Sequence, residues 1–287
     1  MTMATALARI PAPVSDSISP QHFRALSALI YSATGIRMPP SKTTMLEGRL
    51  RRRVRDNGFD SIADYCTHIL SGDASQAEMD DFLNAVTTNK TDFFRERNHF
   101  DFLVSDILPD YQARGQRMLR CWSAASSNGA EAYTLAMVLD DYARSKDGPD
   151  YEILATDLDT EMLQTGIRGI YPAEMLAPVP QALRRRYVME PKDAARREVR
   201  IAAALRKKVS FGRLNLMNDH YPIGAPVDII FCRNVLIYFD KPTQHKVVTR
   251  LCEQLRPGGY LLLGHSESIA GFSGQLKAVC NTVFQKV

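Results

Sequence analysis

The chain has 287 residues, 45% hydrophobic and 24% charged, with 36 lysines and arginines against 32 aspartates and glutamates. That composition excludes a disordered or fibrous chain, and the length is enough for a large core and two domains. No apolar run approaches the ~18 residues that a bilayer-spanning helix needs, so no membrane insertion is expected.

Residues 1–18 read as a flexible tail. Met1 to Ser19 carries one basic residue, Arg9, and Pro11 and Pro13 interrupt its apolar stretch, which makes it a poor signal peptide. From there to residue 90 the spacing is helical and no strand alternation appears. Leu26, Leu29 and Ile30 repeat at helix spacing, as do Leu46, Leu50 and Val54, and Ser61 with Asp64 resembles an N-terminal cap. Residues 19–90 are therefore a small helical domain. Segment 42–55 holds six basic residues and one acidic, and segment 184–208 holds ten and three. The remaining chain has 20 basic and 28 acidic residues, a balance of −8. Two basic patches on an otherwise acidic protein suit an acidic partner, the alternative being two solvated faces. Arg49, Arg52 and Arg53 lie at i, i+3 and i+4 and share a helix face beside the apolar one. That arginine face is expected to stand free and to meet substrate.

Residues 91–287 alternate strand and helix. Strands are expected at Met118–Ala124, Glu152–Leu158, Val209–Leu216, Val227–Phe231 and Tyr260–Gly264. Helices are expected at Ala130–Tyr142, Thr160–Gly169 and Lys241–Leu255, the last stopped by Pro257-Gly258-Gly259, and Leu276–Phe284 closes the chain. This is an α/β domain with a mainly parallel sheet. The break in the alternation at about 171–208 reads as an insertion, where Val199-Arg200-Ile201 could be a strand of a small antiparallel sheet. Cys66, Cys121, Cys232, Cys252 and Cys280 form no CxxC pair. The six histidines, His99 and His265 among them, show no metal-ligand spacing. Reduced core cysteines, a cytoplasmic protein and no metal are expected.

Three stretches point to a ligand. Trp122-Ser123-Ala124-Ala125-Ser126-Ser127-Asn128-Gly129 follows the first strand, and its small side chains let backbone approach a ligand closely. With only one glycine it is no dinucleotide fingerprint, and it suits an uncharged or cationic nucleoside better. Asp157 ends the second strand, where a carboxylate can accept both ribose hydroxyls. Its alternative role is a helix N-cap, which Asp159 could take equally. Arg233 and Asn234 follow the buried strand 227–231, at the end where parallel sheets bind ligands.

The chain is similar to the CheR chemotaxis receptor methyltransferases, which methylate receptor glutamates with S-adenosylmethionine. The resemblance rests on Thr87-Thr88-Asn89-Lys90-Thr91-Asp92-Phe93-Phe94-Arg95-Glu96, on Trp122 through Met137, on Ile153–Asp157, on Asn215-Leu216 and on Phe231 through Phe239. It spans roughly residues 20 to 287. It implies a Rossmann-like S-adenosylmethionine-dependent methyltransferase domain with a helical N-terminal domain and a small antiparallel β insertion. S-adenosylhomocysteine is the implied product, and the implied methyl acceptors are glutamate carboxylates of chemoreceptors. Asn89, Thr91 and Arg95 then resemble inter-domain contacts to the methionine part of the cofactor, with Arg95 pairing its carboxylate. Glu131 resembles the partner of its ammonium group, Asp157 the ribose ligand, and Asn215 and Leu216 the adenine wall. Arg233 and Asn234 resemble residues lining the cofactor. Arg95 and Tyr238 fall at the reaction centre. Departures are Ala130, where the family carries an acid, Ala132 for proline and Ala125 for a frequent glycine. The stretch Glu190–Arg197 lacks the glycines with which some members grip a receptor's tail peptide. A monomer with no nucleic-acid partner is expected. Base-methylating enzymes carry an Asn/Asp-Pro-Pro-aromatic motif where this chain has Arg233-Asn234-Val235-Leu236. A non-catalytic scaffold is the remaining alternative.

Overall fold

A computed structural model describes residues 17–193, 195–269 and 275–287. The expected tail lies outside these residues except for Ser17 and Ile18. Ile18 is buried, and its amide donates to Glu47 Oε1 at 2.9 Å. Contacts divide the chain into two units, residues up to 33 with 37–86, and residues 34–36 with 87–287. No helix of the described residues is long and apolar enough to cross a membrane.

The first unit holds α1 (Pro20–Thr34), α2 (Thr43–Asp56), α3 (Ile62–Ser71) and α4 (Gln76–Val86). Leu46, Leu50 and Val54 bury one stripe of α2, as their spacing requires. Ser61 caps α3, its hydroxyl accepting from the Asp64 amide at 3.1 Å.

The arginine face of α2 does not stand free, and here the expectation is corrected. Arg53 is drawn inward, its side chain 15% exposed, against the buried carboxylate of Glu78, with Asp81 at 2.9 Å. Tyr65 donates its hydroxyl to the same Glu78. Arg49 is half-buried and donates to the Val86 carbonyl at 2.7 Å. Of the three, Arg52 alone is well exposed, at 76%, 3.4 Å from Asp56. An i, i+3, i+4 pattern shows which residues share a face. It does not show that acids from α4 will close over that face.

The second unit opens with α5 (Asn98–Phe102), a π turn at Leu103–Ile107 and α6 (Leu108–Ala113). Then come β1 (Met118–Ala124), α7 (Ala130–Lys146), β2 (Asp150–Asp157) and α8 (Thr160–Arg168). The insertion carries β3 (Ile170–Pro172), α9 (Gln181–Tyr187), β4 (Val188–Met189), β5 (Glu198–Ile201) and α10 (Ala203–Arg206). The chain closes with β6 (Val209–Arg213), β7 (Val227–Cys232), α11 (Lys241–Gln254), β8 (Leu255–Leu263), β9 (Leu276–Cys280) and β10 (Val283–Lys286).

Seven strands form one sheet in the order β6-β2-β1-β7-β8-β10-β9. The pairs from β6 to β8 are parallel, and those of β10 are antiparallel. The strand order reverses between β1 and β7, the switch point whose carboxyl ends frame a crevice. Both faces of the sheet are covered. Leu119 and Cys121 of β1, with Ile229 and Phe231 of β7, point into one core. Trp122, Ala124, Ile230 and Cys232 point into the other, as period-two alternation demands. Asp228, the one acid in β7, is satisfied by the Arg120 amide at 2.8 Å and by Arg256 at 2.8 and 3.0 Å.

The insertion forms its own antiparallel sheet, β3-β5-β4. Several boundaries moved, β6 ending at Arg213 rather than Leu216 and α7 running on to Lys146. β8 starts at Leu255 because Pro257-Gly258-Gly259 is absorbed as a slip in register between Val227 and Ile229 of β7. The closing segment is a hairpin that turns at Asn281–Thr282.

Reversing Arg53 (Arg53→Glu) sets a third carboxylate against Glu78 and Asp81. Losing hydrogen bonds between charged groups at such a half-buried cluster costs about 1.5–3 kcal/mol. A urea titration followed by helical circular dichroism should show that loss, and Arg52→Glu should leave the midpoint essentially unchanged.

Candidate active site

All ten residues assigned to the cofactor or the reaction line one cavity, open to solvent, within the second unit. They are Asn89, Thr91, Arg95, Glu131, Asp157, Asn215, Leu216, Arg233, Asn234 and Tyr238. Ile36, Leu214, Val235 and Phe239 supply apolar wall. The proposed substrate residues Arg49, Arg52 and Arg53 belong to the first unit.

The loop after β1 is built for close approach. Ala125 and Ser127 take positive φ of 60° and 51°, and Gly129 takes 86°. A side chain on Gly129 would also meet Phe211 at 3.0 Å. These turns aim the Ser127 amide at Asp157 Oδ2, 2.7 Å away, while the Asp159 amide takes Oδ1 at 2.9 Å. Burial pushes the Asp157 carboxyl up to about 6, against the pull of the Asp159, Ser127 and Leu158 amides. Between the two roles open to Asp157 and Asp159, the cap belongs to Asp159. It accepts from the Glu161 and Met162 amides at 2.9 and 3.0 Å. Its other oxygen takes Asn89 Nδ2 at 2.6 Å, which ties the loop at Asn89 to the head of α8. Ser127 Oγ donates to the Asn89 carbonyl at 2.9 Å. Asn215 folds its side chain back onto the Met217 amide at 2.9 Å, turning the chain after β6 so that Leu214 and Leu216 are buried beside it.

Arg233 is the centre of the second half. Its side chain is 2% exposed. It donates to Glu96 Oε2 at 3.0 and 3.3 Å, to Glu131 Oε2 at 3.3 Å and to the Arg95 carbonyl. Its guanidinium lies 5.5 Å from the Phe100 ring centroid. Glu131 also takes the Ser123 hydroxyl at 2.7 Å. Burial pushes the Glu131 carboxyl up, and Arg233 and Ser123 oppose it. Burial works on Glu96 in the same sense, but there Asn234, Arg233 and the His265 amide prevail and bring it down to about 2. Arg95 donates to the Lys90 carbonyl at 2.7 Å and lines the cavity beside Thr91. Tyr238 sits at the end of the short Leu236–Tyr238 turn.

Two supporting residues had no assigned role in the sequence. Glu96 stood inside the quoted segment, yet its partners lie 137 residues and more away. Glu267 accepts from the Asn234, Leu236 and Gly264 amides at 2.9, 2.7 and 2.6 Å and so fixes the turn after β7. An acid next to an arginine, or soon after a buried strand, was the only signal.

A buried acidic pair, small-residue loops and an apolar wall at the switch point of a seven-stranded sheet match an S-adenosylmethionine-dependent methyltransferase. The chain belongs to the CheR methyltransferase family. Residues 89–284 match the family described as "CheR methyltransferase, SAM binding domain", and residues 21–87 match "CheR methyltransferase, all-alpha domain". Chemotaxis protein methyltransferase 2 of Pseudomonas aeruginosa is 39% identical over 264 residues, 92% of each chain. The chemotaxis protein methyltransferase of Salmonella typhimurium is 38% identical over 269 residues, 93% of this chain and 91% of that one.

Arg233→Met should cost about 3–5 kcal/mol at neutral pH, because Glu96 and Glu131 lose a buried partner. The Glu96 carboxyl is held down at about 2 from an ordinary value of 4.5. Its contribution is therefore complete above pH 4.5 and is lost as pH falls through 2. The stability gap between parent and mutant, measured by denaturant titration, should narrow over that window.

Proposed function

We propose that this protein transfers the methyl group of S-adenosylmethionine to glutamate side chains of bacterial chemoreceptors, forming methyl esters in sensory adaptation, as a cytoplasmic monomer. The observation that carries this reading is the convergence of the ten residues on one cavity. Its relatives' name, chemotaxis protein methyltransferase, supports the substrate class.

The donor set fits the cofactor. Asp157, a carboxylate on the cavity wall, suits ribose hydroxyls. Glu131 at the first turn of α7 suits an ammonium group. Arg95 suits a carboxylate, and Leu214, Leu216 and Phe239 suit a flat base. When bound, S-adenosylmethionine supplies a methyl group activated by its sulfonium. What remains for the protein is alignment. A glutamate side chain with an ordinary pKa of about 4.3 is already ionised at neutral pH and needs no strong base. Arg95 and Tyr238 at the cavity wall orient that carboxylate, and the apolar wall excludes water.

On the receptor side, Arg52 is the exposed member of the arginine trio, with Arg49 and Arg53 holding the helix that presents it. Opposite charge there would speed encounter with acidic receptor helices. The edge of β4, where Met189 is 54% exposed, is the place for a receptor tail peptide to add as a strand.

The reading is tested by incubating the protein with labelled S-adenosylmethionine and chemoreceptor fragments. Label should be released as methanol on mild alkali and should be absent from receptors whose acceptor glutamates are changed to alanine. Base-stable label would overturn the ester assignment.

Asp157 adds a pH signature. Its carboxyl is pushed up to about 6, and only the ionised form accepts two hydroxyls. S-adenosylhomocysteine affinity by calorimetry should therefore be flat above about pH 7 and should fall by about tenfold at pH 5. Asp157→Asn should weaken binding at pH 7.5 by at least about tenfold, the worth of a charge-assisted hydrogen bond, and should abolish the step near pH 6.

A further inference from the structure

Glu96, His99 and His265 gather on one side of Arg233, outside the cavity lining. One ligand-type atom from each lies within 4.8 Å of the other two. His99 is 1% exposed. Its Nε2 lies 2.9 Å from Thr282 Oγ1, and that hydroxyl donates its only proton to the Asn281 carbonyl at 2.7 Å. With the Thr282 hydroxyl turned to the Asn281 carbonyl, Nε2 carries the imidazole proton. Nδ1 is left as a lone pair with no hydrogen-bond partner, facing Glu96 Oε2 at 3.5 Å. That lone pair is buried with nothing to donate to it, and Glu96 Oε2 beside it already accepts two N–H groups of Arg233.

The spacing selects the cation. Tetrahedral zinc bonds of 2.0–2.2 Å set neighbouring ligand atoms roughly 3.3–3.5 Å apart, and His99 Nδ1 and Glu96 Oε2 already stand at 3.5 Å. His265 is exposed, and its ring packs edge-on against that of His99 with centroids 5.0 Å apart, so a side-chain rotation brings in the third ligand. Its backbone is held, since Glu267 clamps the Gly264 amide at 2.6 Å and the His265 amide points to Glu96 Oε1 at 3.3 Å. Two imidazoles and one carboxylate favour a zinc-class ion over calcium or magnesium, which take oxygen ligands. Arg233 on Glu96 Oε2 opposes a second cation. It keeps Glu131 and the Arg95 carbonyl as partners, and Glu96 and Glu267 add two carboxylates to the locality.

We propose that Glu96, His99 and His265 form a binding site for one transition-metal dication of the zinc class beside the cofactor cavity. The histidines lie 166 positions apart in the chain, which is why their spacing gave no sign of it. The site stands independently of the methyl-transfer reading, and its test involves no activity.

The test is a titration of the full chain with Co²⁺, followed by visible absorption and reversed with Zn²⁺. One Co²⁺ should bind per chain, with d–d bands of a nitrogen–oxygen site and no thiolate charge-transfer band. His265→Ala, a change at an exposed side chain, should weaken binding by at least about tenfold with an unchanged circular dichroism spectrum. His99→Phe should do the same where it folds. Equal affinity in His265→Ala, a thiolate band from Cys280, or no saturation below millimolar metal would each overturn the site.

Discussion

A guanidinium buried to 2% exposure is the constraint around which the second unit's site is built. Taking such a charge out of water costs several kcal/mol, recovered only if every donor finds an acceptor. Arg233 meets that demand by recruiting Glu96 and the Arg95 carbonyl from the segment before α5, and Glu131 from the start of α7. Two chain segments are thereby fixed to the end of β7. Of the seven non-glycine residues with positive φ among the described residues, Phe94, Glu96, Ala125, Ser127 and Asn234 belong to these segments or to the adjoining loop. Each strained conformation costs on the order of 1–3 kcal/mol and persists only where surroundings over-determine it. The charge network around Arg233 holds Glu96 and Asn234 this way, and the Asp157 carboxylate holds Ser127.

The three acids of the site are tuned apart by their partners. Glu96 has Asn234, Arg233 and an amide and stays strongly ionised. Glu131 shares Arg233 and one hydroxyl, and burial prevails. Asp157 has only backbone amides and rises to about 6. Glu96 is thus a fixed counter-charge for Arg233. Glu131 and Asp157 are acids held at an energetic cost, which a ligand carrying positive charge or hydroxyl donors relieves. Two destabilised acids facing one cavity are a preorganised receptor for such a ligand.

Much of this was legible in the sequence, and the exceptions share a cause. Strand β1 was read at its true bounds and β7 to within a residue, because their buried runs and flanking turns are local signals. The switch-point location of Asp157 and Arg233 followed from where their strands end. The segments that resemble the family placed ten residues that do converge on one cavity. What could not be read depends on partners far along the chain. Arg53 looked like an open surface charge until Glu78 and Asp81 of α4 closed on it. Glu96 looked unremarkable because Arg233, Asn234 and His265 are 137 to 169 residues away. Asp159 and Asp157 were interchangeable on paper, and only the amides that reach them separate the two, Glu161 and Met162 for Asp159 and Ser127 for Asp157.

The same desolvation that raises Glu131 and Asp157 bears on the chemistry. In a polar, wet site a carboxylate acceptor and a cationic methyl donor are each stabilised by solvent, and that stabilisation is lost as their charges cancel in the transition state. A site with apolar walls at Leu214, Leu216, Val235 and Phe239 withholds it from the start. Strong fixed cations at the reacting carboxylate would have the opposite effect and hold the nucleophile in its charged ground state. Arg233, the most deeply buried cation of the site, is committed to Glu96 and Glu131. Arg95 is partly engaged by the Lys90 carbonyl. The arrangement keeps positive charge available for orientation while spending most of it on the protein's own acids, and a reaction that annihilates charge requires that balance.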